Sequence, residues 1–348
     1  MSQLLSIQLA PPPSSLEKAR ITSLPILILN VHTHCNCHCV MCDIWKRKEP
    51  RELSVPDLDR HRESLISLGV RQVVLSGGEP LLHREFAALT SFFRDLNIRV
   101  TLLTTGLLLW QKAQVIASGV DDIILSLDGP PSIHDSIRRV PNAFQTIARG
   151  IKAVRAIRDR MPISCRTTVQ KQNHNFLRAT VDAAHTLTLD SISFLPADLT
   201  STAFNRPQSW TPDRQDDVAL TYPELIALES EIGALIDLHS HDIQSGFILE
   251  NEPKLRRLAT RFREHLERTV PRAPLCNAPW VSAVMESDGT LRPCFFHPPI
   301  ASVAKQTLDE AINSSAALSF RSTLNIATNP ICQRCVCSLR LPPTSESA

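Results

Sequence analysis

A short run of cysteines, residues 34–42, constrains this chain more than any other part of its sequence. The run reads His-Cys-Asn-Cys-His-Cys-Val-Met-Cys, and its four thiols belong to Cys35, Cys37, Cys39 and Cys42. It comes shortly after an apolar stretch, residues 24–31, of the kind that forms a buried strand. Thiols gathered on a loop after a strand are metal ligands more often than packing residues, so this loop is predicted to be a metal site.

The alternatives to such a site are a disulfide and a zinc ion. A chain of 348 residues has a core large enough to fold without disulfides. Zinc stays open, although it usually takes two Cys pairs or a Cys pair with a His pair. Cys35, Cys39 and Cys42 stand at C-x-x-x-C-x-x-C and supply three thiolates with no obvious fourth. Three protein ligands on a four-iron cluster leave one iron open for chemistry.

A second motif follows the next apolar run, and it consists of Gly77, Gly78, Glu79 and Pro80. The two motifs together resemble the radical S-adenosylmethionine (SAM) superfamily. The resemblance implies a 4Fe-4S cluster on Cys35, Cys39 and Cys42, with its open iron chelated by the amino and carboxylate groups of SAM. In that family the reduced cluster cleaves SAM to a 5′-deoxyadenosyl radical, which abstracts a hydrogen from substrate. Cys37 departs from the usual pattern as an additional thiol inside the loop.

The same resemblance assigns further SAM contacts. It places the backbone and Glu79 of the second motif at the amine of SAM. Residues 126–129, Ser-Leu-Asp-Gly, with His134 and Arg138 downstream, resemble the anaerobic sulfatase-maturating and related radical SAM enzymes. There the Ser, here Ser126, contacts the ribose and the Arg, here Arg138, pairs with the methionine carboxylate, a bidentate match that a guanidinium suits. The plainer alternative makes Arg138 a helix-surface charge and Asp128 a turn residue.

Composition limits the partners and the compartment. Hydrophobic content of 43% and charged content of 21% are those of an ordinary globular protein. A net charge of +2 gives no electrostatic reason to expect nucleic acid or an anionic membrane as partner. Nine of the ten cysteines lie in two groups near the two ends, which favours metal binding in a reducing compartment. We therefore expect a cytoplasmic protein with no secretory signal and no membrane span.

Six apolar runs separated by helical stretches predict repeated βα units. The runs are residues 25–31, 71–76, 98–103, 122–127, 163–169 and 191–195. They predict an α/β fold, a partial (β/α)6 TIM-like barrel with its site at the C-terminal strand ends. Arg166, Thr168 and Lys171 lie near one such end and are candidate substrate contacts, although a solvent-facing role is equally open. No residue is assigned to the catalytic step itself.

The predicted organisation has five parts. Residues 1–23 form a flexible lead-in and residues 24–197 the radical SAM partial barrel. Residues 198–270 hold a lid loop and two bridging helices, the first opened by a capping box of Thr221 and Glu224. Residues 271–340 form a small auxiliary-cluster domain, and residues 341–348 a tail.

The second cysteine group consists of Cys276, Cys294, Cys332 and Cys335. Its C-x17-C and C-x-x-C pairs would accept zinc. They nonetheless resemble the twitch or truncated SPASM module of radical SAM enzymes, which implies one auxiliary 4Fe-4S cluster. Cys337 is left over, either as a replacement for Cys335 or as a spare thiol.

A cluster with four thiolate ligands can accept an electron from a substrate radical, so we expect a net oxidation such as alcohol to ketone. The partners expected are a small-molecule substrate and a flavodoxin- or ferredoxin-type reductant. The short segment before the first strand disfavours a fused peptide-recognition domain, but peptide modification with a separate leader-binding partner stays an alternative. An alternative of another class is a non-catalytic zinc or iron-sulfur protein, in which Gly77, Gly78, Glu79 and Arg138 would have no task.

Overall fold

Six consecutive parallel strands form the central sheet. The computed structural model describes residues 19–47, 49–206 and 208–342. The strands are β1 (Ile26–His32), β2 (Gln72–Gly77), β3 (Arg99–Thr104), β4 (Asp122–Ser126), β5 (Ile163–Val169) and β6 (Ser191–Pro196). Each pairs in parallel with the next. The six predicted strands are therefore confirmed.

Alternation along β1 shows how the sheet separates its core from its site. Leu27, Leu29 and Val31 are fully buried in the hydrophobic core. Asn30 and His32 lie on the opposite face and line a cavity inside the sheet. Successive side chains of a strand point to opposite faces, so one apolar run supplies both the core and a wall of the cavity.

Helices connect the strands. Those of the described residues are α1 (Val55–Asp59), α2 (Arg62–Ser67), α3 (Phe86–Asp95), α4 (Ala113–Gly119), α5 (Pro131–Arg138), α6 (Ala143–Ile157), α7 (Leu177–Thr186), α8 (Pro212–Asp216), α9 (Tyr222–Leu238), α10 (Ser240–Ser245), α11 (Glu252–Leu266), α12 (Ala278–Val281), α13 (Leu308–Ile312), α14 (Ser315–Thr323) and α15 (Pro330–Arg334). Two 3-10 turns span Ile44–Lys46 and Pro80–Leu82.

Two helical stretches of the chain are each divided into two short helices. The stretch after Ser54 forms α1 and α2, and residues 307–324 form α13 and α14. Between the latter two helices the Ser314 hydroxyl accepts a hydrogen bond from the Ala317 N–H and starts a new helix. The side chain of Asn313, which follows the last residue of α13, hydrogen-bonds to the backbone N–H and carbonyl of Ile21.

The two helices predicted after the lid loop correspond to α9 and α11. At the start of α9 the Thr221 side chain and the Glu224 carboxylate form the predicted capping box. The buried side chains of α11, Leu255, Leu258 and Phe262, belong to the same hydrophobic core as the barrel. These helices therefore close one side of the barrel.

The C-terminal region extends the barrel sheet. Strand β7 (Ser282–Glu286) pairs in parallel with β1, and β8 (Thr290–Arg292) and β9 (Ala301–Ser302) continue the sheet in antiparallel fashion. The resulting order is β6-β5-β4-β3-β2-β1-β7-β8-β9, with β6 and β9 at the two edges. The sheet is unclosed, as a partial barrel requires.

Residues 1–18 of the predicted lead-in and 343–348 of the predicted tail lie outside the described residues. Within the described ranges, no helix combines the length and hydropathy that a membrane span requires.

Candidate active site

A cavity of about 670 Å³ opens at the C-terminal ends of the parallel strands. Cavities of this volume hold ligands of drug-like size. Its wall includes seven of the residues predicted from the sequence: Cys35, Cys39, Cys42, Gly77, Gly78, Ser126 and Arg138. The structure thus brings together residues that lie about a hundred positions apart, because parallel strands end at one edge.

The cysteine loop, residues 34–42, supplies three free thiols to this wall. Cys37 does not line the cavity and is 2% exposed. Burial raises the pKa of Cys35 and of Cys42 to about 12 each. A hydrogen bond from Cys37 lowers the pKa of Cys39, and the nearby guanidinium of Arg138 lowers it further. Cys39 is therefore the thiol of the loop most disposed to be a thiolate.

The three cavity thiols have the chemistry of iron-sulfur cluster ligands. Among the residues that the structure describes, no three His, Cys, Asp or Glu side chains close on one point as ligands of one metal ion do. A four-iron cluster is wider than an ion, so its thiolates stand further apart around it. Three free thiols on one cavity wall with a guanidinium beside them suit that group.

The glycine pair after β2 lets two backbones meet. A Cβ atom on Gly78 would stand 1.9 Å from the carbonyl oxygen of His34, and one on Gly77 would stand 2.6 Å from that of His32. The Gly78 N–H donates to His32 O and the Glu79 N–H to His34 O, both at 2.7 Å. Only glycine permits this approach, which ties the cysteine loop to the end of β2.

Glu79 lies behind the cavity wall. Its side chain is fully buried, and one oxygen accepts from the Leu81 N–H and the Thr104 hydroxyl while the other accepts from the Thr105 N–H. Burial raises the pKa of Glu79 against these hydrogen bonds. The carboxylate thus fixes the turn at Pro80 to the end of β3, and neither residue is on the cavity wall. A contact of Glu79 with the SAM amine stays a prediction.

Arg138, at the end of α5, reaches both a carboxylate and a thiol. Its Nη2 lies 2.6 Å from Asp128 Oδ2, and its Nη1 lies 3.5 Å from Cys39 Sγ. Burial disfavours its charge, but the charges of Asp128 and Cys39 outweigh burial and raise the pKa of Arg138. Arg138 is thus an inward-facing cation, and the alternative of a helix-surface charge is wrong.

Asp128 and His134 support this cation. Asp128 is fully buried, and its other carboxylate oxygen accepts from the Thr168 N–H. Burial lowers the pKa of His134 to about 3, so the ring is neutral and its Nδ1 accepts from the Asp128 N–H. Asp128 therefore positions Arg138 and is more than a turn residue.

Sequence reasoning missed a polar network at the other side of the cavity. The Asn30 side-chain amide donates to Glu286 at 2.9 Å, and Arg292 Nε donates to the same carboxylate at 3.1 Å. All three residues line the cavity. No sequence signal marks them, since the pairing of β7 with β1 that joins them spans more than 250 residues.

The C-terminal thiols lie close enough to influence one another electrostatically. Burial is the main cause that raises the pKa of Cys294 to about 11 and of Cys332 to about 12, and the thiol of Cys276 adds to both shifts. Burial also raises the pKa values of Cys335 and Cys337. Of the five C-terminal cysteines, Cys337, the one outside the predicted ligand set, is on the cavity wall.

A histidine not singled out by the sequence contacts this group. His297 is 3% exposed, and its Nε2 lies 3.2 Å from Cys332 Sγ. Burial lowers its pKa, so the ring meets the sulfur as a neutral imidazole. In the tautomer that carries its hydrogen on Nε2, the ring donates a hydrogen bond to the Cys332 sulfur.

Comparison with known families agrees with this geometry. Residues 29–178 match the model of the radical SAM superfamily, and residues 276–336 match that of an iron-sulfur cluster-binding domain, SPASM. The chain therefore carries a radical SAM domain followed by a SPASM iron-sulfur domain. A radical SAM domain implies a 4Fe-4S cluster with SAM, and a SPASM domain implies auxiliary iron-sulfur clusters.

Similar proteins include two curated synthases. The AdoMet-dependent heme synthase of Methanosarcina barkeri is 30% identical over 48% of this chain and 49% of its own length. The pre-heme d1 synthase of Dinoroseobacter shibae is 30% identical over 46% of this chain and 40% of its own length. This radical SAM chain therefore spans about half the length of these relatives, or less.

Solved structures share the fold over most of the chain. SuiB of Streptococcus suis bound to S-adenosylmethionine superposes with a TM-score of 0.63 over 93% of this chain and 75% of its own. Its identity of 14% makes this a likeness of fold. The partial barrel with a C-terminal iron-sulfur region is thereby confirmed as the architecture of this radical SAM protein.

Proposed function

We propose that this radical SAM chain is an oxidoreductase that acts on a small molecule. The SAM-binding 4Fe-4S cluster would be held by Cys35, Cys39 and Cys42. SAM would be bound by the segment of Gly77, Gly78, Glu79 and Pro80 together with Ser126 and Arg138. An auxiliary 4Fe-4S cluster would be held by Cys276, Cys294, Cys332 and Cys335. When bound, the first cluster and SAM supply the 5′-deoxyadenosyl radical that starts the reaction.

One observation carries the proposal: the cavity that the N-terminal thiols line is also reached by the residues that follow Cys335. Cys35, Cys39 and Cys42 are on its wall, and the C-terminal group reaches it through Val336 and Cys337. A substrate in that cavity would lie between a radical source and an electron acceptor. This placement supports a net oxidation, because the electron left after hydrogen abstraction needs a nearby group to receive it.

The protein side chains would bind and orient. Arg138 faces the cavity as a guanidinium already paired with Asp128, and the fork of a guanidinium can also bind a carboxylate such as that of methionine. Ser126 and Arg166 are neighbours across β4 and β5, and both line the cavity. We propose that Ser126 contacts a SAM hydroxyl and that Arg166 contacts the substrate beside it.

Arg166 favours a substrate with a carboxylate. Among the described residues no carboxylate lies within ion-pair distance of its guanidinium, and its hydrogen-bond partner is the Ser193 hydroxyl at 3.3 Å. The named relatives make heme and pre-heme d1, which are tetrapyrroles, and such molecules carry carboxylates. With SAM in the cavity, the remaining volume suits a small molecule or one side group of a larger one.

The proposed external partner is a flavodoxin- or ferredoxin-type reductant, which the reduction of the first cluster would require. Peptide modification is the second candidate. It is favoured by the fold shared with SuiB bound to its precursor peptide SuiA, which superposes over 93% of this chain. A cavity of about 670 Å³ that SAM also occupies leaves room for one side chain of such a peptide.

Iron and sulfide content tests the assignment first. Anaerobically reconstituted wild type should hold about eight irons per chain, and the triple variant C35A/C39A/C42A should hold about four. The same variant should lose the formation of 5′-deoxyadenosine from SAM with dithionite. Cys165→Ala is the matched control, because Cys165 is buried in β5 outside both groups and its loss should leave the iron unchanged.

The oxidation is tested at the other group. The double variant C332A/C335A should keep reductive cleavage of SAM and lose the auxiliary iron. Four irons with one zinc in wild type, and none with one zinc in the N-terminal triple variant, would make the C-terminal module structural and remove the proposed electron acceptor.

A further inference from the structure

The backbone carbonyls of the cysteine loop are bound by a segment far away in the chain. This segment, residues 198–206 and 208–217, is called the roof below, and it corresponds to the lid predicted from the sequence. Arg214 Nη2 donates to the carbonyl oxygen of Val40, and Arg206 Nη2 donates to that of Met41 at 3.2 Å. Both carbonyls lie between Cys39 and Cys42.

The amide hydrogens of the same loop are bound from the other side. The N–H of His38 donates to Arg138 O at 3.2 Å, and that of Val40 donates to Ile137 O at 3.1 Å. The loop is thus held between the last residues of α5, which accept its N–H groups, and the roof, which donates to its carbonyls. An irregular loop that bears three cavity thiols has its main-chain groups bound on both sides.

An indole ring joins the two arginines of the roof. The guanidinium of Arg206 lies 3.6 Å from the centroid of the Trp210 ring, and that of Arg214 lies 4.3 Å from it. The indole N–H donates to Asp43 Oδ2 at 2.6 Å, immediately after Cys42. Trp210 is 7% exposed, and desolvated cation–π contacts of this kind are among the stronger ones.

Arg206 is also held in place electrostatically. Its side chain is 1% exposed, and its Nη1 lies 2.6 Å from Asp198 Oδ2. The charge of Arg206 lowers the pKa of Cys42, although burial raises it more. Arg206, a buried cation paired with Asp198, therefore lies near Cys42. Arg138, paired with Asp128, lies in the same way beside Cys39.

We infer that Arg206, Trp210 and Arg214 form a clasp that fixes the roof on the cysteine loop and positions that loop for its cluster. These three are positioning residues. The roof is then a fixed part of the cluster site and not a lid that opens freely, and loop and roof are expected to order together. The inference rests on the proposed cluster at Cys35, Cys39 and Cys42 only for its electrochemical test.

Hydrogen exchange tests the coupling without any assay of activity. In iron-loaded protein, R206Q and R214Q should speed amide exchange about tenfold in peptides of both the roof and the cysteine loop, since each removes charge-assisted hydrogen bonds. R214K keeps the charge but not the fork, and should give a smaller increase in the same two peptides.

Arg149→Gln is the matched control. Arg149 also lies 4.3 Å from the centroid of an indole, that of Trp110, but in α6 away from the loop. It should leave exchange in both peptides as in wild type. Faster exchange in the roof with an unchanged loop, or no change in either, would overturn the inference.

A midpoint potential separates positioning from mere folding. Arg206→Gln removes a positive charge beside the N-terminal cluster, so the potential of that cluster should fall while that of the auxiliary cluster stays unchanged as internal control. Equal iron content in R206Q and wild type, with an unshifted potential, would contradict the placement of Arg206. If reconstituted wild type held no iron at the N-terminal cysteines, that result would instead contradict the proposed function, whatever the exchange data show.

Discussion

The N-terminal and C-terminal cysteine groups are assembled in opposite ways. The first lies within one loop, and charged side chains from α5 and the roof surround it. The second is collected from segments that span about sixty residues. The side chain that contacts one of its sulfurs, that of Cys332, is the neutral ring of His297. In the first group a hydrogen bond from Cys37 and the charge of Arg138 lower the pKa of Cys39, whereas burial raises the pKa of Cys35 and Cys42, as it does those of Cys294 and Cys332 in the second. Similar ligand chemistry is therefore reached by local spacing in one place and by folding in the other.

Gly78→Ala should give the largest effect and should separate the two groups. The added Cβ would overlap the His34 carbonyl at 1.9 Å, where backbone faces backbone, so we expect a loss of about 3 kcal/mol or more in unfolding free energy. Iron on the N-terminal group should be lost first. Gly233→Ala in α9, where a Cβ meets nothing within 4 Å, should be neutral or slightly stabilising. Equal denaturation midpoints for the two variants would refute the close approach.

The substitution Arg138→Gln should give the next largest loss of unfolding free energy. It leaves Asp128 fully buried without its ion-pair partner, and breaking a buried pair costs about 3–5 kcal/mol. Chemical denaturation measures the loss, and the double variant D128N/R138Q should recover part of it. If the double variant is no more stable than R138Q alone, the unpaired carboxylate is not the cause.

Alkylation of the metal-free, reduced protein should show the role of Cys37. The lowered pKa of Cys39 makes it a thiolate at lower pH than Cys35, whose pKa is raised to about 12. Near pH 8, Cys39 should react with iodoacetamide about tenfold faster than Cys35, although Cys35 is more exposed. As the pH rises, the alkylation rate of Cys39 should level off at a lower pH than that of Cys35. In C37A the Cys39 profile should move to higher pH, and an unmoved profile would show that Cys37 does not donate to it.

His297→Phe should give the smallest effect and should act on the C-terminal group alone. A hydrogen bond to Cys332 is worth about 1 kcal/mol, which is roughly 40 mV for a one-electron couple, so the auxiliary potential should fall by that amount. The N-terminal potential in the same sample is the reference. A shift in both potentials would mean a general disturbance and not the loss of one donor.

Much of the fold was predictable because its signals are local. Six apolar runs predicted β1 to β6, and Thr221 with Glu224 predicted the start of α9. The contact of Asn313 with the Ile21 backbone was not predicted, since it joins residues almost three hundred positions apart.

The candidate site was predicted in part. Spacing singled out Cys35, Cys39 and Cys42, and the structure places them on one wall. The buried position of Glu79 was not predicted, because its partners Thr104 and Thr105 come from the next strand. The ligand roles themselves stay predictions until iron is measured.

The sequence by itself determined the parallel strands, the two cysteine groups and the glycines that let β2 meet the cysteine loop, because each depends on residue types at short range. Only the tertiary structure decided that Glu286 and Arg292 share a cavity with Asn30, and that the Trp210 indole donates a hydrogen bond to Asp43. Those contacts join segments that are more than 160 residues apart, and a one-dimensional pattern carries no information on which distant buried polar groups will satisfy one another.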